Sequence, residues 1–160
     1  MLSLQVTDIK DCMTKLLYKD CFDRFSLVEA SIRMGISWHV DGHRNPEFYD
    51  SDPDAVQEGG FCLWQEAKPY IFQIIKGKRQ PLGFKIILAF PDKTVDYLIQ
   101  ECGVSFRRED VEGIYLNLLF EPGNLRITTG ISWRTFIMDR SLDQCVDNHV
   151  KAFLKSREIC

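Results

Sequence analysis

The segment GIYLNLLFEPGNLRITT, residues 113–129, constrains the fold more than any other stretch of the chain. Two runs rich in strand-forming residues flank the tetrapeptide Glu121-Pro122-Gly123-Asn124. Pro presets the backbone for a turn and Gly accepts positive φ, so the segment reads as a β-hairpin. It ends at Gly130, and Phe136 follows six residues on. The same spacing occurs earlier, at Gly42 and Phe48 in GISWHVDGHRNPEF. That echo raises the expectation of two similar halves.

The remaining periodicities fit this expectation. Residues 2–6 alternate as a short strand, and Thr7 or Asp8 can cap a helix carrying Ile9, Met13, Leu16 and Leu17 on one face. Residues 25–33 and 35–41 read as strands, the second with Ile36, Trp38 and Val40 on one face, and Asp41-Gly42 as a turn. A polar loop, 43–60, precedes a helical stripe of Leu63, Ala67, Tyr70, Ile71, Ile74 and Ile75. Pro69 interrupts the stripe, which predicts a kink or a first turn near Lys68. The second series opens with the strand GFKIILAF and a helix carrying Val95, Leu98, Ile99 and Cys102, stopped by Gly103. The hairpin follows, then ISWRTFIM as a third strand. A last helix has Leu142, Cys145, Val146, His149, Val150, Phe153 and Leu154 at unbroken helical spacing, capped by Asp139 or Ser141.

The expected fold is therefore α+β: two similar β-α-β-β(-β)-α halves, roughly 1–80 and 81–160, within one domain of 160 residues. Antiparallel sheets pack against about four helices. A chain of this length buries about 70% of its unfolded surface and needs no staples. The six cysteines form no CxxC pair, and no secretory signal precedes them, so they read as reduced, mostly buried thiols with Cys160 exposed. No apolar run approaches the ~18 residues of a membrane span. A cytoplasmic protein that contacts no membrane is expected.

The phrases LWQEAKPYIFQIIKGKRQPLGFKI and LDQCVDNHVKAFLK resemble a small family of uncharacterised bacterial proteins, over nearly the whole chain; that resemblance implies no activity. The segment FKIILAFPDKTVDYLIQECG…GIYLNLLFEPGNLRITTGISWRTFIM is similar to a repeat of the DNA sliding clamps, which implies a clamp-like domain and a nucleic-acid role. Clamp helices present Lys and Arg to DNA. Here the helix at 92–102 offers Asp92, Asp96, Gln100 and Glu101 against Lys93, and the helix at 8–19 offers Asp11, Lys15 and Tyr18. The net charge of -3 also lacks the basic footprint of a dedicated nucleic-acid protein.

Three constellations have chemical potential. His39, Asp41 and His43 alternate in HVDGH, and on one strand face two imidazoles and a carboxylate form a candidate iron or zinc site; a bend at Asp41-Gly42 would send His43 elsewhere. Asp50, Asp52 and Asp54 in DSDPD open like a calcium loop, but Ala55 and Phe61 stand where that template needs Gly and Glu. Lys76, Lys78 and Arg79 cluster at a helix end, where cations complement the dipole. With Arg107 and Arg108 they form a candidate anion- or partner-binding set, provided folding joins the two loops. No nucleophile elbow or phosphate-cradling loop is present. His149 reads as a core or rim histidine rather than a catalytic base. The preferred reading is a non-catalytic binding or assembly module with no cofactor, acting on an unknown protein partner or on itself. A metal-dependent enzyme using His39, Asp41 and His43 is the first alternative, and a nucleic-acid-associated clamp relative the second.

Overall fold

A computed structural model describes residues 1–49, 60–102 and 107–159. Among these are seven strands and four helices, in the order β1 (Ser3–Gln5), α1 (Ile9–Leu17), β2 (Ser26–Arg33), β3 (Ser37–Asp41), β4 (Cys62–Leu63), α2 (Trp64–Ile75), β5 (Gly83–Ala89), α3 (Asp92–Cys102), β6 (Val111–Glu121), β7 (Asn124–Trp133) and α4 (Ser141–Ser156). All seven strands join one antiparallel sheet, ordered β1-β7-β6-β5-β2-β3, with β4 paired to the start of β2. This is the α+β architecture the periodicities imply, with four helices, and its strands merge into a single sheet.

Local chemistry explains most boundaries. Asp8 caps α1 by accepting from the Asp11 amide at 3.0 Å. Asp139 accepts from the Ser141 amide at 2.8 Å and so ties down the first turn of α4. The hairpin closes through Gly123 at φ 79°, the positive value that a turn at this position demands. Alternation along β6 buries Ile114, Leu116, Leu118 and Phe120 toward the helices, and β5 does the same with Phe84, Ile86 and Leu88. The facing residues of α4 are Leu142, Val146, Val150 and Leu154. Trp64 is fully buried at the start of α2, and its indole N–H donates to the Leu16 carbonyl of α1 at 2.9 Å, joining two helices through a satisfied polar contact.

Several expectations change. NLRITT and ISW are one strand, β7, continuous through Gly130, so no third strand follows the hairpin. α2 begins at Trp64 and carries Pro69 within it, rather than starting near Lys68. Ile36 lies in the bend before β3 rather than in the strand, and Trp38 lies on the core side, paired with Ile32. Both are exposed, Trp38 because β3 is the sheet edge. Phe48 and Phe136, the ends of the Gly-to-Phe echo, are both exposed, and Gly130 lies inside a strand while Gly42 follows one. The cysteines are not all reduced. Cys102 and Cys145 form a disulfide between α3 and α4, which pack side by side and bring the two Cα atoms to 6.4 Å. Cys12, Cys21 and Cys62 are in no disulfide. Cys160, Gly103 and the DSDPD carboxylates Asp50, Asp52 and Asp54 lie outside the described residues. No helix among the described residues is long and apolar enough to cross a membrane.

Candidate functional site: a cationic groove on the open sheet face

The helices pack against one face of the sheet and leave the other to solvent. Register decides what that open face carries. Lys85 sits between core-facing Phe84 and Ile86, so it points away from the helices, and Arg126 does so between Leu125 and Ile127. Arg33 follows core-facing Ile32. Ser31 pairs with Lys85, Lys85 with Leu119, and Leu119 with Arg126, while Arg33 pairs with Gly83. Lys85 and Arg126 are thus two strands apart, about 10 Å, with Arg33 diagonal to Lys85.

Together these residues frame a groove of about 370 Å³, with Asn124 and Glu121 at its margin. Gly83 forms part of its floor. A Cβ there would stand 2.8 Å from Arg33 Nη2 and 3.1 Å from the Phe120 carbonyl, so the missing side chain lets the guanidinium lie across the strand. Arg33, Lys85 and Arg126 make no ion pair among the described residues. Further along the same face a second hollow of about 350 Å³ is lined by Val28, Ile87, Tyr115, Asn117 and Ile131. Tyr115 is half-buried, and desolvation, with the Glu112 carboxylate nearby, holds its phenol above the usual range. One face therefore presents a cationic half and an apolar half.

The residues singled out from sequence fall in three places. Lys76, Lys78 and Arg79 are exposed and without ion pairs among the described residues. Their loop leads into the start of β5, where the Leu82 amide donates to the Arg33 carbonyl at 2.8 Å, but none of the three lines the groove. Arg107 and Arg108 do not join them, because their loop leads to the start of β6, beside the far end of β5. The seven residues of β5 put about 23 Å between the two loops. Arg108 is also occupied: it reaches Asp96 at 2.9 Å and Asp92 at 3.2 Å on α3, and donates to the Val111 carbonyl at 2.7 Å. Arg107 is largely exposed, 3.9 Å from Glu109.

His39 and Asp41 share one face of β3, but their partners diverge. His39 Nδ1 and Ser31 Oγ are hydrogen-bonded at 3.1 Å. Asp41 Oδ1 accepts from the His43 amide at 2.9 Å and pairs with His43 Nδ1 at 2.7 Å; the backbone bond first, and the imidazole second, hold its carboxyl below the usual range. The His43 ring meets Phe61 at a tilt of 52°, with centroids 4.4 Å apart. Among the described residues no three His, Cys, Asp or Glu side chains gather closely enough to hold a metal ion.

The groove cations escaped sequence reasoning. Lys85 and Arg126 are each the one charge in FKIILAF and NLRITT, and Arg33 ends a strand that also carries Glu29. Only register shows that three strands aim them at one point.

Comparison with known proteins yields one match. A family model described as a family of unknown function, DUF5721, matches residues 15–160. No curated protein and no solved structure matches significantly.

Proposed function

The chain belongs to the DUF5721 family of unknown function, and we propose from its own geometry that it is a non-catalytic binding module. The open sheet face captures an acidic segment of a partner protein. The observation that supports this is the convergence of Arg33, Lys85 and Arg126, without carboxylate partners, around a 370 Å³ groove whose floor includes Gly83. All three are exposed cations without an ion-pair partner among the described residues, and a carboxylate-bearing ligand can engage them together through charge-assisted hydrogen bonds. The neighbouring apolar hollow suits a large aliphatic or aromatic residue in the same segment.

Peptide is favoured over nucleic acid because single strands are held by successive stacking rings, and Tyr115 is the one aromatic lining either hollow with an outward position. A cytoplasmic setting belongs to the same reading. Cysteines left out of any disulfide, Cys21 and Cys62, support it, and the Cys102–Cys145 bond weighs against it.

Fluorescence anisotropy with a labelled oligoglutamate peptide ending in phenylalanine tests the proposal. Binding should weaken as salt is raised and fall about tenfold or more in the Arg33→Glu, Lys85→Glu, Arg126→Glu triple variant. An unchanged affinity in that variant removes the groove from the function. Tighter binding of single-stranded DNA of equal charge would instead favour a nucleic-acid partner.

A further inference from the structure

A second cleft lies at the opposite end of β5, where the loop before β2, the β5–α3 turn and the C-terminal turns of α4 meet. Its volume is about 330 Å³, and Arg24, Thr94, His149 and Arg157 supply its polar groups over the edges of Phe90 and Phe153. A contiguous hollow of about 230 Å³, lined by Phe61, Leu63 and Val95 among others, shares Arg24, Phe90 and Pro91 with it. Neither Arg24 nor Arg157 has an ion pair among the described residues. Arg157 instead lies 5.8 Å over the Phe153 ring, which sets its guanidinium beside an apolar wall. Half-buried His149 meets Phe90 edge-on at 6.1 Å. The amino-terminal end of α3 adds positive potential at Thr94. Asp20 is the carboxylate on the rim of the cleft itself, where the two arginines outnumber it, while Asp92 and Glu112 line the neighbouring hollow.

We infer that this cleft binds a small organic anion with a flat apolar body, its phosphate or carboxylate held by Arg24 and Arg157 and its body against Phe90 and Phe153. The arrangement supplies both requirements of such a ligand within one concavity. The anion meets two unpaired guanidiniums and the Thr94 hydroxyl. The body lies against Phe90 and Phe153 within the cleft itself, short of the hollow that Asp92 and Glu112 line. His149, uncharged near neutral pH, contributes a hydrogen-bonding nitrogen rather than a third cation. This site is separate from the sheet groove in position and in ligand size, and it does not rest on the proposal made for that groove.

Phenyl phosphate and inorganic phosphate serve as probes, in calorimetry and in NMR of the His149 ring. Phenyl phosphate should bind and shift the His149 resonances, and inorganic phosphate should bind about tenfold more weakly because it leaves the apolar wall uncovered. The Arg24→Ala, Arg157→Ala double variant should lose about tenfold or more in affinity. Both side chains are at the surface, so folding is retained, and matching circular dichroism verifies it. The Arg33→Glu, Lys85→Glu, Arg126→Glu variant should bind phenyl phosphate as the parent does. Absence of binding at millimolar probe, equal affinity for the two probes, or unchanged affinity in the double arginine variant would each overturn the assignment.

Discussion

Gly42 shows how one residue can fix a local arrangement. Its amide donates to the Val28 carbonyl and its carbonyl accepts from the Cys62 amide, so the chain passes close over β2 and β4. A Cβ at this position would stand 1.8 Å from the Leu27 carbonyl oxygen, a distance only backbone movement can relieve. Gly42→Ala should therefore cost about 3 kcal/mol or more. Gly130→Ala, where a Cβ meets nothing within 4 Å, should be neutral or slightly stabilising. Urea denaturation of the two variants makes the comparison. His149 gives a second residue-scale test. Desolvation holds its imidazole below the ordinary 6.5, against the opposing field of Glu101. The unfolded chain then takes up a proton at a higher pH than the folded protein does. Stability from this source is complete above about pH 6.5 and is lost as pH falls through the depressed folded value. Urea midpoints at about pH 7.5 and about pH 5.5 should differ less in His149→Phe than in the parent.

At the scale of elements, Arg108 is a strut rather than a ligand-binding residue. It fastens the short turn before β6 to Asp92 and Asp96 in the first turns of α3, and to the Val111 carbonyl. Arg108 is about one-third exposed and its two carboxylate partners more than half, so the pairs are screened, and Arg108→Ala should cost about 1 kcal/mol in thermal denaturation while leaving peptide binding at the groove intact. The same residue illustrates what sequence could and could not reveal. Helix α4 was legible because seven apolar or half-apolar positions repeat without a break, and the hairpin because Pro and Gly mark its turn. The cap at Asp8 was legible for the same local reason. Arg108, read beside Arg107 as a free cation, was not, because its carboxylates belong to a helix sixteen and twelve positions away. The groove stayed hidden for a related reason. Lys85 and Arg126 are 41 residues apart in the chain, and strand pairing alone makes them neighbours across Leu119. Residues 124–133 looked like two strands because Gly130 resembles a break; inside the sheet it is simply an open position.

For the whole molecule, charge placement matters more than total charge. The chain carries a net charge of -3, yet unpaired cations gather on the open sheet face and its adjoining loop. Asp92 and Asp96 of α3 are spent on Arg108. The two halves share an order of elements without sharing strand pairing: β5, β6 and β7 are contiguous, whereas β1 leaves β2 and joins the far edge beside β7. This exchange makes a single continuous sheet with one covered face, and so creates the wide open face on which the binding reading depends. Titration of isotopically labelled protein with the oligoglutamate-phenylalanine peptide tests that reading most directly. Amide shifts should concentrate at Ser31, Arg33, Gly83, Lys85, Leu119 and Arg126, continue toward Ile87 and Tyr115, and spare α3 and α4. Shifts centred on the helical face, or none at saturating peptide, would contradict it.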